Sequence, residues 1–176
     1  MRWMWIDRVT VFEPRKRLVA VKSVSLAEEH LHQHFAAERT ADGTTLPPRP
    51  VMPSSLILEG MAQTAGILVG SVHDFREKVV LAKVVSATVE RDILPGETLR
   101  YDATLERMDE MGASTVGIVD RFSFVDHAWA PVGRIELMFS HLDQNRAGVA
   151  FPEENFVFGE NFRTILEGAG LRRAGV

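Results

Sequence analysis

One carboxyl group lies inside an otherwise apolar stretch, where it could take part in proton transfer. Residues 53–70 read PSSLILEGMAQTAGILVG, and Glu59 is the only charged residue among them. A helix that is apolar nearly all round is typical of a buried helix or a membrane span. Five residues of this stretch follow one another at spacings of four, four, three and four, which places them on one face of a helix. They are Ser55, Glu59, Gln63, Gly66 and Gly70. A buried carboxyl is either paired or protonated, so Glu59 is a candidate proton donor.

Two less specific interpretations of this stretch stay open. Glu59 could be half-exposed, or paired with an arginine. A membrane span is disfavoured, since a charge near the bilayer centre costs about 2.5–3.5 kcal/mol and the run is barely long enough to cross. We therefore predict a buried helix that starts at Pro53, is capped by Ser54 or Ser55, and ends near Asp74.

The composition limits the protein class. The chain has 176 residues, 45% of them hydrophobic and 25% charged, which suits one globular domain with a sizeable core. A net charge of −4 with both signs interspersed argues against broad affinity for nucleic acid. The absence of cysteine excludes disulfides and thiolate sites. The first residues show no secretory signal, so we expect a cytoplasmic protein without a membrane span.

Strand patterns flank the predicted helix. Residues Trp3 to Phe12 and Arg17 to Leu26 are rich in β-branched and aromatic residues and predict a hairpin. Four strands follow the helix, at Lys78–Val89, Thr98–Met108, Ala113–Val125 and Ala128–His141. Their short connections leave no room for parallel crossovers. The chain therefore predicts an α+β hot-dog fold, in which an antiparallel β-sheet wraps around one long central helix.

The predicted hot-dog domain covers residues 1–142 and carries an inserted polar loop at 36–49. Residues 143–176 form a C-terminal extension with a short helix. Its apolar residues recur at helical spacing, namely Phe158, Phe162, Ile165 and Leu166, and glycines follow them. This face could pack on the sheet or on a neighbouring subunit, or it could cap a substrate tunnel.

Several motifs resemble the 3-hydroxyacyl-(acyl-carrier-protein) dehydratases of bacterial fatty-acid synthesis, a FabA/FabZ-like family. That family carries His-Phe-Pro-Gly, then Pro-x-x-Pro-Gly, an acidic residue and Ala-Gln-x-x-Gly. The chain has His34-Phe35, Pro50-Val51-Met52-Pro53, Glu59 and Ala62-Gln63-Thr64-Ala65-Gly66 in that order. Its opening Trp5-Ile6-Asp7-Arg8-Val9 and the turn Leu94-Pro95-Gly96-Glu97 are also similar to the family pattern.

The resemblance implies a lyase that removes water from a 3-hydroxyacyl thioester. His34 matches the family's catalytic histidine, the base for the α-proton, and Glu59 matches the acid for the departing hydroxyl. The backbone amides of Ser54 and Ser55, at the helix start, would bind the oxyanion. Gln63, one turn beyond Glu59, would orient its carboxyl.

The resemblance also implies partners. The working unit would be a homodimer with the histidine and the acid on different subunits, and a trimer of dimers is an open alternative. The substrate would be an acyl carrier protein or coenzyme A thioester, with no cofactor and no metal. Four residues would line the acyl tunnel: Phe35, Met52, Leu56 and Met61.

Three departures from the family pattern keep other functions open. Ala36-Ala37 replaces Pro-Gly after His34-Phe35, Ser54 replaces a glycine, and the 36–49 loop is about 11 residues longer than the family spacer. A hot-dog acyl thioesterase would also use a carboxylate on this helix, with water as the nucleophile. A non-catalytic acyl-binding or scaffold subunit is the third alternative.

The histidines at positions 30, 32 and 34 suggest one further site. On a strand they would face one side and could bind a metal. The pattern His32-x-His34-x-x-x-Glu38 also fits the spacing of cupin metal sites. Cupins have no long buried helix in mid-chain, however, so we predict no metal here.

Overall fold

The computed structural model describes residues 3–33, 36–110, 112–142 and 157–171. The helices in these ranges are α1 (Glu29–Gln33), α2 (Ser54–Ser71) and α3 (Glu160–Gly168). The strands before α2 are β1 (Arg8–Glu13), β2 (Arg17–Ser23), β3 (Glu38–Arg39) and β4 (Thr45–Leu46). The strands after α2 are β5 (Val79–Val89), β6 (Thr98–Asp109), β7 (Gly112–Ser123) and β8 (Ala128–His141).

Six of these strands form one antiparallel sheet. The order is β1-β2-β6-β7-β8-β5, and β3 pairs only with β4. In β7 every second residue is buried, including Ala113, Thr115 and Val119, so one face of the strand points to the core. The strands β1 and β5 are the two edges of the sheet.

The helix α2 lies at the centre of the molecule. It packs against β2, β5, β6, β7 and β8, so the sheet wraps around it. Small residues allow this close approach. A Cβ added at Gly60 would lie 2.5 Å from Cζ of Tyr101 on β6, and one added at Gly117 on β7 would overlap Met61. The predicted hot-dog architecture is confirmed.

The ends of α2 differ from the prediction. No side-chain cap forms at its start, so the expected cap by Ser54 or Ser55 is wrong. Instead, the carbonyl of Pro53 accepts hydrogen bonds from the amides of Leu56 and Ile57, at 2.9 and 3.2 Å. The helix ends at Ser71, three residues earlier than expected, because the chain turns back there. The amide of Phe75 donates to the carbonyl of Gly70 at 2.9 Å.

Three short elements in the described residues were not predicted. The helix α1 lies where no element was assigned, and β3 and β4 form a small hairpin inside the predicted 36–49 loop. A turn holds this hairpin, since the Thr40 amide donates to the carbonyl of Thr44 at 2.9 Å.

In the C-terminal extension α3 forms where the apolar spacing predicted a helix. Among the described residues, no helix is both long and apolar enough to cross a bilayer.

The edge strand β5 exposes apolar side chains along its length. Leu81, Val84 and Val85 are 41%, 38% and 48% exposed, and residues 81–88 are all exposed. An exposed, long and apolar edge strand presents unpaired backbone groups that another strand can pair with. In the single chain this edge of the sheet therefore leaves both apolar side chains and backbone hydrogen-bonding groups open to another strand.

The hydroxyl of Tyr101 is buried against α2. The residue is fully buried, and its Oη has no hydrogen-bond partner among the described residues. Burial raises the pKa of Tyr101 well above its usual value, and the charges of Asp7 and Glu28 raise it further. The phenol therefore stays neutral in the folded chain at pH values where an exposed tyrosine would ionise.

We expect Tyr101→Phe to reduce the alkaline sensitivity of the fold. Because the pKa of Tyr101 is raised by folding, its contribution to stability is complete below about pH 10, where unfolded tyrosine ionises, and falls above it. The free energy of unfolding of the wild type should fall relative to that of the variant by about 1.4 kcal/mol per pH unit above about pH 10.

Urea unfolding of both proteins between neutral pH and the alkaline limit measures this difference. Tyr101 is the only tyrosine in the chain, so phenolate absorbance reports its ionisation directly and serves as the control. Parallel stability curves for wild type and variant would contradict the expected linkage.

Candidate active site

The carboxyl of Glu59 and the amide of Gln63 are in contact on one face of α2. The Nε2 of Gln63 donates a hydrogen bond to Oε1 of Glu59 at 3.0 Å. The pair is one helical turn apart, a spacing that brings side chains together. Gln63 is only 7% exposed, whereas Glu59 is half-buried.

The segment before β1 holds this pair from the other side. The indole Nε1 of Trp3 donates to Oε1 of Glu59 at 3.0 Å. The backbone amide of Trp5 donates to Oε1 of Gln63 at 2.9 Å, and the Nε2 of Gln63 also donates to the carbonyl of Trp3 at 3.2 Å. Gln63 therefore fixes both the carboxyl of Glu59 and the chain that covers it.

The second oxygen of Glu59 is uncommitted. Both hydrogen bonds end at Oε1, and in the part of the chain that the structure describes Oε2 accepts none. No lysine or arginine of those residues pairs with Glu59, so the alternative of an arginine partner finds no support there. An oriented carboxyl with one free oxygen is suited to exchanging a proton with a bound ligand.

Glu59 opens onto a cavity of about 390 Å³. Three residues give this cavity a polar end: Trp3, Glu59 and Gln63. The remaining wall is apolar and comes from α2, β5, β8, the segment before α3 and α3 itself, namely Ala62, Gly66, Val79, Val80, Leu81, Phe139, Val157, Phe158 and Phe162. The volume lies near the lower limit for small-molecule sites, which are mostly apolar with a few placed polar groups. Such a cavity fits a ligand with one polar end and an apolar body.

The predicted oxyanion residues lie at the start of α2. Ser54 and Ser55 are its first two residues and are exposed. The first N–H groups of a helix have no partner within the helix, so these amides can bind a negatively charged oxygen. Neither residue lines the cavity beside Glu59.

The predicted tunnel residues that the structure describes do not line the cavity. Met52 and Met61 are buried in the hydrophobic core, and Leu56 packs against that core. His34 and Phe35 lie outside the described residues, so their predicted roles stay predictions.

The possible metal site at the histidine cluster required these residues to lie on a strand. His30 and His32 lie in the helix α1 and not on a strand, so the reason for placing them on one side is wrong. The ring of His30 meets the ring of Trp5 edge-on, with 5.0 Å between centroids. No group of three possible metal ligands occurs among the described residues.

Sequence reasoning missed two groups that complete the site. Trp3 was assigned only to a strand, and nothing in its spacing pointed to Glu59, 56 residues away. The apolar spacing predicts a face with Phe158, Phe162 and Ile165 but does not single out Val157, and a place at a substrate tunnel is only one of the alternatives for that face. The helical spacing of the two phenylalanines was the one signal available for them.

Comparisons with known proteins identify the family of the chain. A family model described as a FabA-like domain matches residues 2–130. The 3-hydroxyacyl-(acyl-carrier-protein) dehydratase FabZ of Clostridium kluyveri is 30% identical over 144 residues, which are 81% of this chain and 88% of that protein. The protein of the same name from Symbiobacterium thermophilum is 37% identical over 107 residues, covering 60% of this chain and 68% of that one.

Solved structures show the same fold at low sequence identity. The dehydratase heterocomplex ApeI:P from Xenorhabdus doucetiae matches with a TM-score of 0.57 and 15% identity, over 83% of this chain and 92% of that one. A thioesterase family protein from Silicibacter pomeroyi matches with the same TM-score and 11% identity, over 77% and 83% of the two chains. The family model matches most of this chain, and the alignment with the Clostridium protein covers most of both proteins. The chain therefore belongs to the FabA-like family.

Proposed function

We propose that the protein dehydrates a 3-hydroxyacyl thioester, carried on acyl carrier protein or coenzyme A, to the trans-2-enoyl thioester in fatty-acid or related lipid synthesis. The observation that carries this proposal is the carboxyl of Glu59, which Trp3 and Gln63 hold at the polar end of an apolar cavity. An acyl chain matches the apolar wall, and its β-hydroxyl group would lie at the carboxyl. Family membership supports the same reaction.

The reaction needs one base and one acid. In the proposed mechanism the imidazole of His34 removes the α-proton, and the bonding pair forms the new double bond as the C–O bond to the β-hydroxyl breaks. Glu59 gives its proton to that hydroxyl, which leaves as water. Transfer of the proton from His34 back to Glu59 by way of solvent restores the resting state.

Charge that develops on the thioester oxygen also needs hydrogen-bond donors. The amides of Ser54 and Ser55 are the proposed donors, since the N-terminus of α2 favours negative charge. Gln63 is the proposed positioning residue, because it holds Oε1 of Glu59 and leaves Oε2 for the substrate. No step of this mechanism requires a metal or a cofactor.

The proposed working unit is a cytoplasmic homodimer. The exposed apolar strand β5 is the surface that supports it, because pairing of two such edges satisfies their backbone groups and covers Leu81, Val84 and Val85. The walls of the cavity include residues 79–81 of this same strand. A partner paired there would therefore adjoin the cavity and could supply His34 to it.

Turnover of 3-hydroxyacyl thioesters by the purified protein tests the function. We expect enoyl thioester as the product, identified by mass spectrometry, and a loss of about 10²–10⁴-fold in kcat for His34→Ala. His73→Ala is the matched control, since His73 is an exposed histidine beyond the end of α2 and should leave kcat unchanged. Free acid as the product would indicate a thioesterase, and no turnover of any thioester would indicate a binding subunit.

A further inference from the structure

The segment around α3 is fixed firmly against the end of α2. Phe158 is 3% exposed and lies over Gly70, where an added Cβ would come within 2.7 Å of its ring. The ring of Phe158 meets Phe75 edge-on at 5.1 Å and Phe162 at 5.8 Å between centroids. Leu166 of α3 is also 3% exposed, so the segment is anchored both before α3 and within it.

The two phenylalanines close the apolar side of the cavity. Glu59 and Gly66 both line it and are about 10 Å apart along the helix axis, and Gly70 lies about 16 Å from Glu59, at about 1.5 Å per residue. An extended chain advances roughly 1.2 Å per bond, since three backbone bonds span about 3.3–3.6 Å. The lining on α2 ends at Gly66, so a ligand that follows this face from Glu59 has room for roughly nine bonds, fewer than the about eleven that follow the hydroxyl-bearing carbon of a tetradecanoyl chain.

The family model ends at residue 130, so this closing segment is a feature of the chain beyond the matched domain. From its placement we propose that the C-terminal segment 157–171 sets the acyl chain length, with Phe162 as the specificity-determining residue that limits the cavity. This inference rests on the proposed dehydratase function, because it assigns the length of that enzyme's substrate.

Phe162→Ala should lengthen the accepted chain. Phe162 is half-buried, so its truncation should leave the fold intact, whereas truncation of the buried Phe158 risks unfolding. The measurement is kcat/KM for 3-hydroxyhexanoyl, 3-hydroxydecanoyl and 3-hydroxytetradecanoyl thioesters. We expect the wild type to prefer the shorter two, and the variant to raise the tetradecanoyl-to-hexanoyl ratio by about tenfold, since forcing atoms into filled space typically costs a factor on that order.

Ile165→Ala is the matched control. Ile165 is half-buried on the same helix and packs against the core, but it does not line the cavity. Its chain-length profile should equal that of the wild type. An unchanged profile in Phe162→Ala, or an equal shift in Ile165→Ala, would overturn the assignment.

A binding measurement separates this inference from the proposed function. Affinities of saturated hexanoyl-, decanoyl- and tetradecanoyl-coenzyme A, measured by calorimetry, do not require turnover. If the wild type turns over no thioester, the dehydratase proposal fails, and the affinities still report whether Phe162 limits the length. Equal affinities of wild type and Phe162→Ala for the tetradecanoyl compound would contradict the inference even in an active enzyme.

Discussion

Glu59→Gln is expected to lower kcat on a 3-hydroxyacyl thioester by about 10²–10⁴-fold, the usual contribution of general acid catalysis. Glutamine has nearly the same shape, and its amide oxygen can still accept the hydrogen bonds from Trp3 and Gln63. It cannot deliver a proton to the departing hydroxyl. The loss should therefore appear in kcat, with little change in KM or in the midpoint of thermal unfolding.

Glu106→Gln is the matched control, since Glu106 is an exposed residue of β6 and the same change should not alter kcat. Steady-state kinetics with mass-spectrometric detection of the enoyl product measures both variants. A Glu59→Gln protein that keeps kcat within about threefold of the wild type, far less than the loss expected of an acid catalyst, would remove Glu59 from the mechanism.

Val85→Asp is expected to dissociate the proposed dimer and to abolish most of the activity. Val85 is the most exposed of the three large apolar residues on β5, and a charge on an edge strand opposes pairing with another strand. Light scattering should show the mass of one chain for the variant and of two for the wild type.

The control for this change is Val11→Asp. Val11 is 38% exposed on β1, the opposite edge of the sheet, so the same charge enters a similar environment away from the proposed interface. It should leave the mass and kcat unchanged. A monomeric wild type, or a Val85→Asp protein that stays dimeric and active, would rule out β5 as the interface.

Mixing inactive variants tests whether the site is shared. If His34 and Glu59 act from different subunits, a dimer of one His34→Ala chain and one Glu59→Gln chain has one intact site. After exchange of subunits in equal amounts, half of the dimers are mixed, so roughly a quarter of the wild-type activity should return. No recovery would place both residues on the same subunit.

Most of the fold could be predicted because its elements are long and end at turn residues. The strand predicted at Ala128–His141 has the observed bounds of β8, and β6 differs from its prediction by one residue. The helix α2 followed from its continuous apolar character. The short elements α1, β3 and β4 could not be predicted in this way, because each is too short to show a periodic pattern of apolar residues.

The site could be predicted only where it is local in sequence. Glu59 and Gln63 are four residues apart on one helix, and that spacing alone predicts their contact. Trp3 and Phe162 reach the same cavity from sequence separations of 56 and 103 residues, and only the folded sheet brings them there. The predicted tunnel residue Met61 is buried in the core, and no pattern distinguishes a core side from a cavity side on a helix that is apolar nearly all round.

The hydrogen bond from Trp3 to Glu59 gives the protein a natural optical probe. Indole emission depends on what surrounds the ring, and this ring is 56% exposed and touches the carboxyl directly. Of the other two tryptophans, Trp5 is buried and Trp129 lies on β8 under the guanidinium of Arg100. We therefore expect a molecule that enters beside Glu59 to change the fluorescence of Trp3, so that occupancy can be followed in the native chain without any attached dye.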